Sequence, residues 1–456
     1  MNIQLTLDYQ TILRNESRPV HLVAKLTAQK LETHARPRSA AFAVVLDRSS
    51  SMSGQPLQLA CESSAAVVRN LRPNDFFSLV VFDDSAQVVI PLQKPTDRHG
   101  MIQAIAGISE GGSTNLMAGW LLGRDELLKV GPECDKKILV LTDGHLNQGI
   151  IEPDTVEALT RSGFGKDGIR TSCLGFGDSY NEEILLAMSG VGHGQLHDAD
   201  SADKFPAILA HELDGLQKIT AQNVRLRVEP KLFCHSWTQY GDYPIVTLPD
   251  GRMEIALGDL VSEESREFVL LTEVLPLPLL PDGALPASLE GEELLGLEFV
   301  WTEICDSEIK SCQSTHLVRI QGTQNPEEVV LNHQVVVVVA NQIAGKAARE
   351  AVEKVRKGDF DAAAHSVRSA SATLQSLAAP ELTGEAQNLL DATGRQVNSE
   401  NFSPRDLKNL LFDSRTLTRP TSRTLGTGTR KKSKPKPKSK SKPKPTDKEQ
   451  GRPPEK

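Results

Sequence analysis

Two hydrophobic periods alternate along the chain. Near the amino terminus, Ile3, Leu5 and Leu7, then Val20, Leu22, Ala24 and Leu26, are apolar positions separated by polar ones. A period of two marks half-buried antiparallel strands. From residue 41 the pattern becomes short continuous apolar runs, at 42–46, 76–82, 88–92, 138–142, 169–176 and, more weakly, 194–198. Helix-period stretches at 57–70, 97–108, 115–130, 154–162, 181–188 and 203–218 lie between them. Such alternation predicts an α/β unit over 40–219, a doubly wound and mostly parallel sheet with helices on both faces. After residue 220 the β-type segments return, at 224–228, 253–257, 267–271, 297–304 and 317–320, with Pro- and Gly-rich turns such as 274–286. The amino-terminal strands need partners and these are the candidates. The α/β unit is therefore expected to be inserted into an antiparallel β-sandwich built from 1–39 and 220–325.

A helical region is expected over 326–400. Residues 327–357 and 360–377, joined by Gly358-Asp359, have the spacing of a helical hairpin, with Ala347, Ala351 and Val355 on one face and Ala363, Val367, Ala370 and Leu374 on the other. The β-branched run 335–339 also fits a strand. Residues 401–456 read as a linker and a Lys/Pro/Ser-rich tail that buries too little apolar surface to offset chain entropy, and so is expected to be disordered.

Charge sharpens this division. Residues 415–456 carry fifteen Lys and Arg against three acidic residues, net +12, leaving 36 basic and 56 acidic residues, net −20, for the rest. An acidic body ends in a basic tail. No run of 18 apolar residues suggests a membrane span, and the first ten residues lack the pattern of a secretory signal, so a soluble, cytoplasmic protein is expected. The six cysteines form no CxxC pair, which argues for buried free thiols over a zinc or disulfide framework.

Three pieces carry the candidate chemistry: Asp47-Arg48-Ser49-Ser50-Ser51 after the first parallel strand, Gly111-Gly112-Ser113-Thr114-Asn115, and Thr142-Asp143-Gly144 after the 138–142 strand. In a doubly wound sheet all three fall on the carboxyl rim, where such sheets place ligands. Asp47, Ser49, Ser51, Thr114 and Asp143 among them offer two carboxylates and three hydroxyls, a set without nitrogen or sulfur. Oxygen donors suit a small hard cation, Mg²⁺ or Mn²⁺, held octahedrally at about 2.1 Å with some waters retained.

Asp-x-Ser-x-Ser, the Thr of GGST and the Asp of TDG together resemble the metal-ion-dependent adhesion site of the von Willebrand factor A family, over about residues 40–219. No position departs from that pattern. The flanking strands and GFGDSYNEE are more similar to bacterial and inter-alpha-trypsin-inhibitor-heavy-chain-like members than to integrin inserts. The resemblance implies that Ser49, Ser51 and Thr114 ligate the metal directly, while Asp47 and Asp143 act largely through bound water. It also implies a non-enzymatic protein-binding module, in which a partner's Asp or Glu carboxylate completes the metal shell. A second reading is a regulatory or substrate-handling subunit of an ATPase complex of the chelatase or MoxR type. The sequence contains no GxxxxGK[ST], so the ATPase would be a separate partner.

Other signals carry less. Gly163-Phe164-Gly165-Lys166-Asp167-Gly168 matches GxGxxG but follows a helix and precedes a strand, the reverse of a dinucleotide site. Asp47 and Asp143 lack the nucleophile and base of a catalytic set. His145 is expected to be a solvated loop residue. The basic tail could contact nucleic-acid phosphates, but has no aromatic for base stacking, and a solvated linker is its ordinary reading.

Overall fold

The amino-terminal strands are β1 (Asn2–Leu7), β2 (Thr11–Leu13) and β3 (Arg18–Thr27). An α/β unit follows, made of β4 (Ala40–Asp47), α1 (Gln55–Asn70), β5 (Phe76–Phe82), β6 (Ala86–Gln93), α2 (Arg98–Ala106), α3 (Leu116–Leu127), β7 (Asp135–Thr142), α4 (Pro153–Asp167), β8 (Ile169–Phe176), α5 (Glu182–Val191), β9 (His193–Ala199) and α6 (Phe205–Gln217). Strands return as β10 (Ile219–Pro230), β11 (Cys234–Gln239), β12 (Ile245–Thr247), β13 (Met253–Val261), β14 (Ser265–Val274), β15 (Glu292–Cys305) and β16 (Glu308–Thr323). Helices α7 (His333–Arg356), α8 (Phe360–Leu377), α9 (Gly384–Val397) and α10 (Pro404–Thr418) come last. The computed structural model describes residues 1–31, 38–144, 148–241, 243–277, 291–305, 308–377, 383–397 and 403–418. The disorder expected of the tail therefore lies, for 419–456, outside the described residues, as does His145.

The α/β sheet has the order β6-β5-β4-β7-β8-β9, parallel except for β6, which pairs antiparallel with β5. All eight residues of β4 are buried because it is central and helices cover both faces. Phe42, Val44 and Leu46 join one core with residues of α1 and α6, while Ala41, Ala43 and Val45 join the other with α3 and α5. Helix α3 approaches β4 closely: a Cβ on Gly119 would lie 2.7 Å from Phe82 and 2.9 Å from Val45, and one on Gly123 2.7 Å from Val45.

The flanking strands form two sheets, β1-β3-β14-β11 and β12-β13-β10-β15-β16-β2. Val20, Leu22, Leu26 and Phe268 of the first share one core with Leu226, Ile255, Leu297 and Phe299 of the second. Three short strands escape the period-two signal. β2 is parallel to β16, and β11 and β12 are edge strands too short to show an alternation. Among the described residues, no helix is long and apolar enough to cross a membrane.

In the helical region one ambiguity is resolved and one expectation is corrected. The 335–339 run is helical: Val335 and Val339 continue through Ile343, Ala347, Ala351 and Val355 at helical spacing, and with Val23 of β3 and Val269 of β14 they form one apolar cluster. Asn332 caps the helix by accepting from the Gln334 amide at 3.1 Å. Residues 404–418, expected to be linker and tail, form α10, whose Leu410 and Leu411 are buried in the same cluster. Its start is legible in retrospect as Ser403-Pro404-Arg405-Asp406, where the Asp406 amide donates to Ser403 Oγ at 3.1 Å. At its far end, Gln342 Nε2 of α7 donates to the Thr418 carbonyl at 2.7 Å.

Gly119→Ala tests the α3 contact. Helix propensity gains about 1 kcal/mol, but overpacking against two buried side chains costs about 1–3 kcal/mol. The urea midpoint is expected to fall, by a net loss of up to about 2 kcal/mol, with an unchanged m-value.

Candidate metal centre

The order of crossovers reverses between β4 and β7, and the crevice of a doubly wound sheet opens at that point. Asp47 ends β4 and Thr142 ends β7. Asp47 is fully buried; its Oδ1 accepts from the Ser49 amide at 2.8 Å and its Oδ2 from Thr142 Oγ1 at 2.5 Å. Thr142 Oγ1 accepts in turn from the Gly144 amide at 3.2 Å, which shapes the turn holding Asp143. Ser51 Oγ donates to Asp143 Oδ1 at 2.7 Å, and the Ser49 and Ser51 hydroxyls are hydrogen-bonded at 3.1 Å. A 3₁₀ turn over Ser50–Met52, anchored by the buried Met52, keeps these hydroxyls on one side.

Thr114 arrives on a loop pinned through the backbone. The Gly111 amide donates to the Arg48 carbonyl at 2.7 Å, Ser50 to Gly112 at 3.1 Å, and Asn115 to Asp83 at 2.8 Å. Arg48 also grips Asp83 Oδ2 with Nε at 2.8 Å and Nη2 at 2.7 Å. Gly111 is a steric requirement, because a Cβ there would lie 2.1 Å from Asp83 Oδ2 and 2.8 Å from Asp83 Cβ, and Asp83 is held by Arg48; at Gly112 a Cβ would meet the exposed Asp84 carboxylate, which can turn aside. At Gly144 the Cβ position is 3.1 Å from Thr114 Oγ1 and 3.7 Å from Asp47 Oδ2, so the three pieces meet around one small space.

That space opens into a cleft of about 490 Å³ lined by Ser49, Ser51, Thr114 and Asp143, with Asp47 behind it. One wall was not anticipated as part of the site. Phe176, Gly177, Asp178 and Ser179, at the carboxyl end of β8, also line the cleft. The signal was available, because GFGD follows a parallel strand and falls on the same rim, with Gly177 at φ +72°. Gly163 belongs to α4, beside Trp120, and Gly168 caps that helix at φ +67°, so the GxGxxG string packs and ends a helix.

Burial pushes the Asp47 carboxyl up to about 6, against the lowering effect of its hydrogen bonds with Ser49 and Thr142; the neighbouring Asp143 adds to the rise. Burial also raises Asp143, opposed by Ser51 and by a backbone amide. Among the described residues no basic side chain acts on either carboxylate. No three His, Cys, Asp or Glu side chains among the described residues converge as a metal cage. The donor set is thus hydroxyl-rich, hard and without a compensating positive charge, which fits a small divalent cation.

Residues 42–211 match the family profile of the von Willebrand factor type A domain. An uncharacterised protein of Synechocystis sp. is 25% identical over 261 residues, 55% of this chain and 61% of that one. Human inter-alpha-trypsin inhibitor heavy chain H4 is 31% identical over 180 residues, 36% of this chain and 19% of that one. The chain therefore spans less than two thirds of these relatives. Among solved structures, a von Willebrand factor type A protein from Catenulispora acidiphila superposes with a TM-score of 0.68 at 17% identity, covering 90% of this chain and 96% of that one. That likeness extends the shared fold well beyond the α/β unit.

The raised Asp47 carboxyl has a defined pH signature. A folded-state value near 6, above the ordinary 3.8, makes the ionised group a cost to the fold at neutral pH, relieved as pH falls from about 6 toward 4. In EDTA, Asp47→Asn is expected to be more stable than the parent by up to about 3 kcal/mol at pH 7. Thermal unfolding across pH should show that advantage shrinking toward pH 4.

Proposed function

Residues 42–211 are a von Willebrand factor type A domain, and on that basis we propose that its cleft holds Mg²⁺ or Mn²⁺ and captures a protein partner through the partner's Asp or Glu carboxylate. The convergence of Ser49, Ser51, Thr114 and Asp143 on one open cleft carries this reading. Ser49, Ser51 and Thr114 would supply neutral oxygen ligands. Asp143, bonded to Ser51, and Asp47, behind the site, would supply the negative charge and orient bound water. With few carboxylates in direct contact the cation stays electrophilic, and its outward position accepts an anionic oxygen. The reading is of binding without turnover.

The cleft supports selectivity beyond the cation. The Arg48–Asp83 pair braces the 111–115 loop, while Asp178, Ser179 and Ser113 line the approach to the metal position. A carboxylate that reached the metal would also have to fit between these walls.

Calorimetric titration of EDTA-stripped protein with Mg²⁺ tests the proposal. The parent is expected to bind one cation, and Asp143→Ala is expected to lose at least tenfold in affinity, about 1.4 kcal/mol. Equal binding by the two proteins, or none by either, would overturn it.

A further inference from the structure

The β8–α5 wall of the cleft is held from outside the domain that contains it. Its backbone carbonyls take their donors from α10, in the helical region some 230 residues away in sequence. Arg405 Nη1 donates to the Gly177 carbonyl at 3.1 Å, and Lys408 Nζ to the carbonyls of Asp178 at 2.7 Å and Tyr180 at 2.8 Å. Arg405 also spans the Asp198 carboxylate, at 2.9 Å to Oδ1 and 2.8 Å to Oδ2. The same Asp198 Oδ1 accepts from Tyr180 OH at 2.8 Å. Lys408 is 2% exposed and sits 3.7 Å from the centre of the buried Tyr180 ring. Glu182 is paired with Arg356 of α7 and lies 3.7 Å from the Lys408 ammonium.

This arrangement is costly unless it serves the loop. A lysine withdrawn from water loses several kcal/mol of hydration, recovered only through good hydrogen bonds and a counter-charge. Here those bonds go to the carbonyls of residues that line or flank the cleft. Gly177 stands at φ +72°, and its amide donates to the Ala199 carbonyl at 2.9 Å. The wall is therefore tied to β9 on one side and to α10 on the other.

We propose that Arg405 and Lys408 are positioning residues for the cation cleft, fixing the Gly177–Tyr180 wall so that docking of α10 and loading of the cation favour one another. The coupling rests on the cation-binding reading above; the positioning of the wall does not. Linkage is reciprocal, so whatever releases α10 must weaken the cation, and the cation must tighten α10. The bundle thereby becomes part of the binding unit, and a partner that grips α10 would be felt in the cleft.

The full chain is compared as parent, Arg405→Lys, the Arg405→Ala/Lys408→Met double variant and Asp143→Ala. Hydrogen exchange is followed in peptides covering 177–181 and 404–418, alongside calorimetric titration with Mg²⁺. In the double variant, 177–181 is expected to exchange about tenfold faster or more while β4 and β7 are unchanged, and Mg²⁺ affinity to fall about fivefold or more. Arg405→Lys, which keeps the charge but loses the two-pronged grip on Asp198, should lie between. Saturating Mg²⁺ should slow exchange in 404–418 of the parent and leave Asp143→Ala unaffected. Unchanged exchange at 177–181, or faster exchange with unchanged Mg²⁺ affinity, overturns the proposal. If the parent binds no Mg²⁺, the cation reading fails by itself, and exchange at 177–181 alone decides the positioning claim, faster supporting it and unchanged overturning it. Should the double variant not fold, Arg405→Lys carries the same comparison.

Discussion

A carboxylate shut away from water at the carboxyl end of the central strand sets the terms for everything around it. Asp47 is fully buried, and a charge in such a place costs several kcal/mol unless hydrogen bonds and counter-charge answer it. Ser49, through its amide and its side chain, and the Thr142 hydroxyl answer. The first bends the chain directly after β4, and the second locks the end of β7 to the end of β4. Asp143 and Gly144 are then delivered to the same point. Among the described residues no basic side chain supplies the counter-charge, which the proposed cation would provide.

The surrounding layers serve this point in graded ways. Helix α3 packs close through Gly119 and Gly123, which seats the 111–115 loop against Arg48 and Asp83. The strands outside the α/β unit are joined to it by buried ion pairs: Arg170 of β8 pairs with Asp259 of β13 and approaches Asp135 of β7 at 4.0 Å. Burial alone would lower the Arg170 guanidinium, but the two carboxylates hold it above its ordinary range. The helical bundle covers the outer face of the β1-β3-β14-β11 sheet through Val23 and Val269, and reaches past it to the cleft wall. The sandwich thus joins the α/β unit at the amino ends of β7 and β8, away from the cleft, while the bundle reaches the carboxyl rim, and each has a core of its own.

Much of this was legible because its causes are local. The run from Phe42 to Leu46 is apolar at every position since both faces of a central parallel strand are covered, and the period-two strands at the amino terminus announce a different kind of sheet. The three pieces bearing Asp47, Ser49, Ser51, Thr114 and Asp143 could be placed on one rim of a doubly wound sheet, and their resemblance to the adhesion-site motif singled out those five residues. Other features were ambiguous or hidden for equally physical reasons. The 335–339 run is β-branched, and only its continuation on one helical face, packed against Val23 and Val269, resolves it as helix. Helix α10 has a low apolar content, and its stability comes from contacts with α7 and α9 that no local window contains.

The sequence by itself determined the α/β unit, its succession of strands and helices and the oxygen-rich set of side chains at its rim, since these follow from hydrophobic period, turn chemistry and the geometry of parallel crossovers. The strand end at Phe176–Ser179 could be placed on that rim from sequence, but only the tertiary structure decided that it walls the cleft and that Arg405 and Lys408 hold it. Those contacts join groups more than two hundred residues apart. Neither partner carries a local mark of the other, because a lysine that will be buried and a lysine that will stay in water are spelled alike.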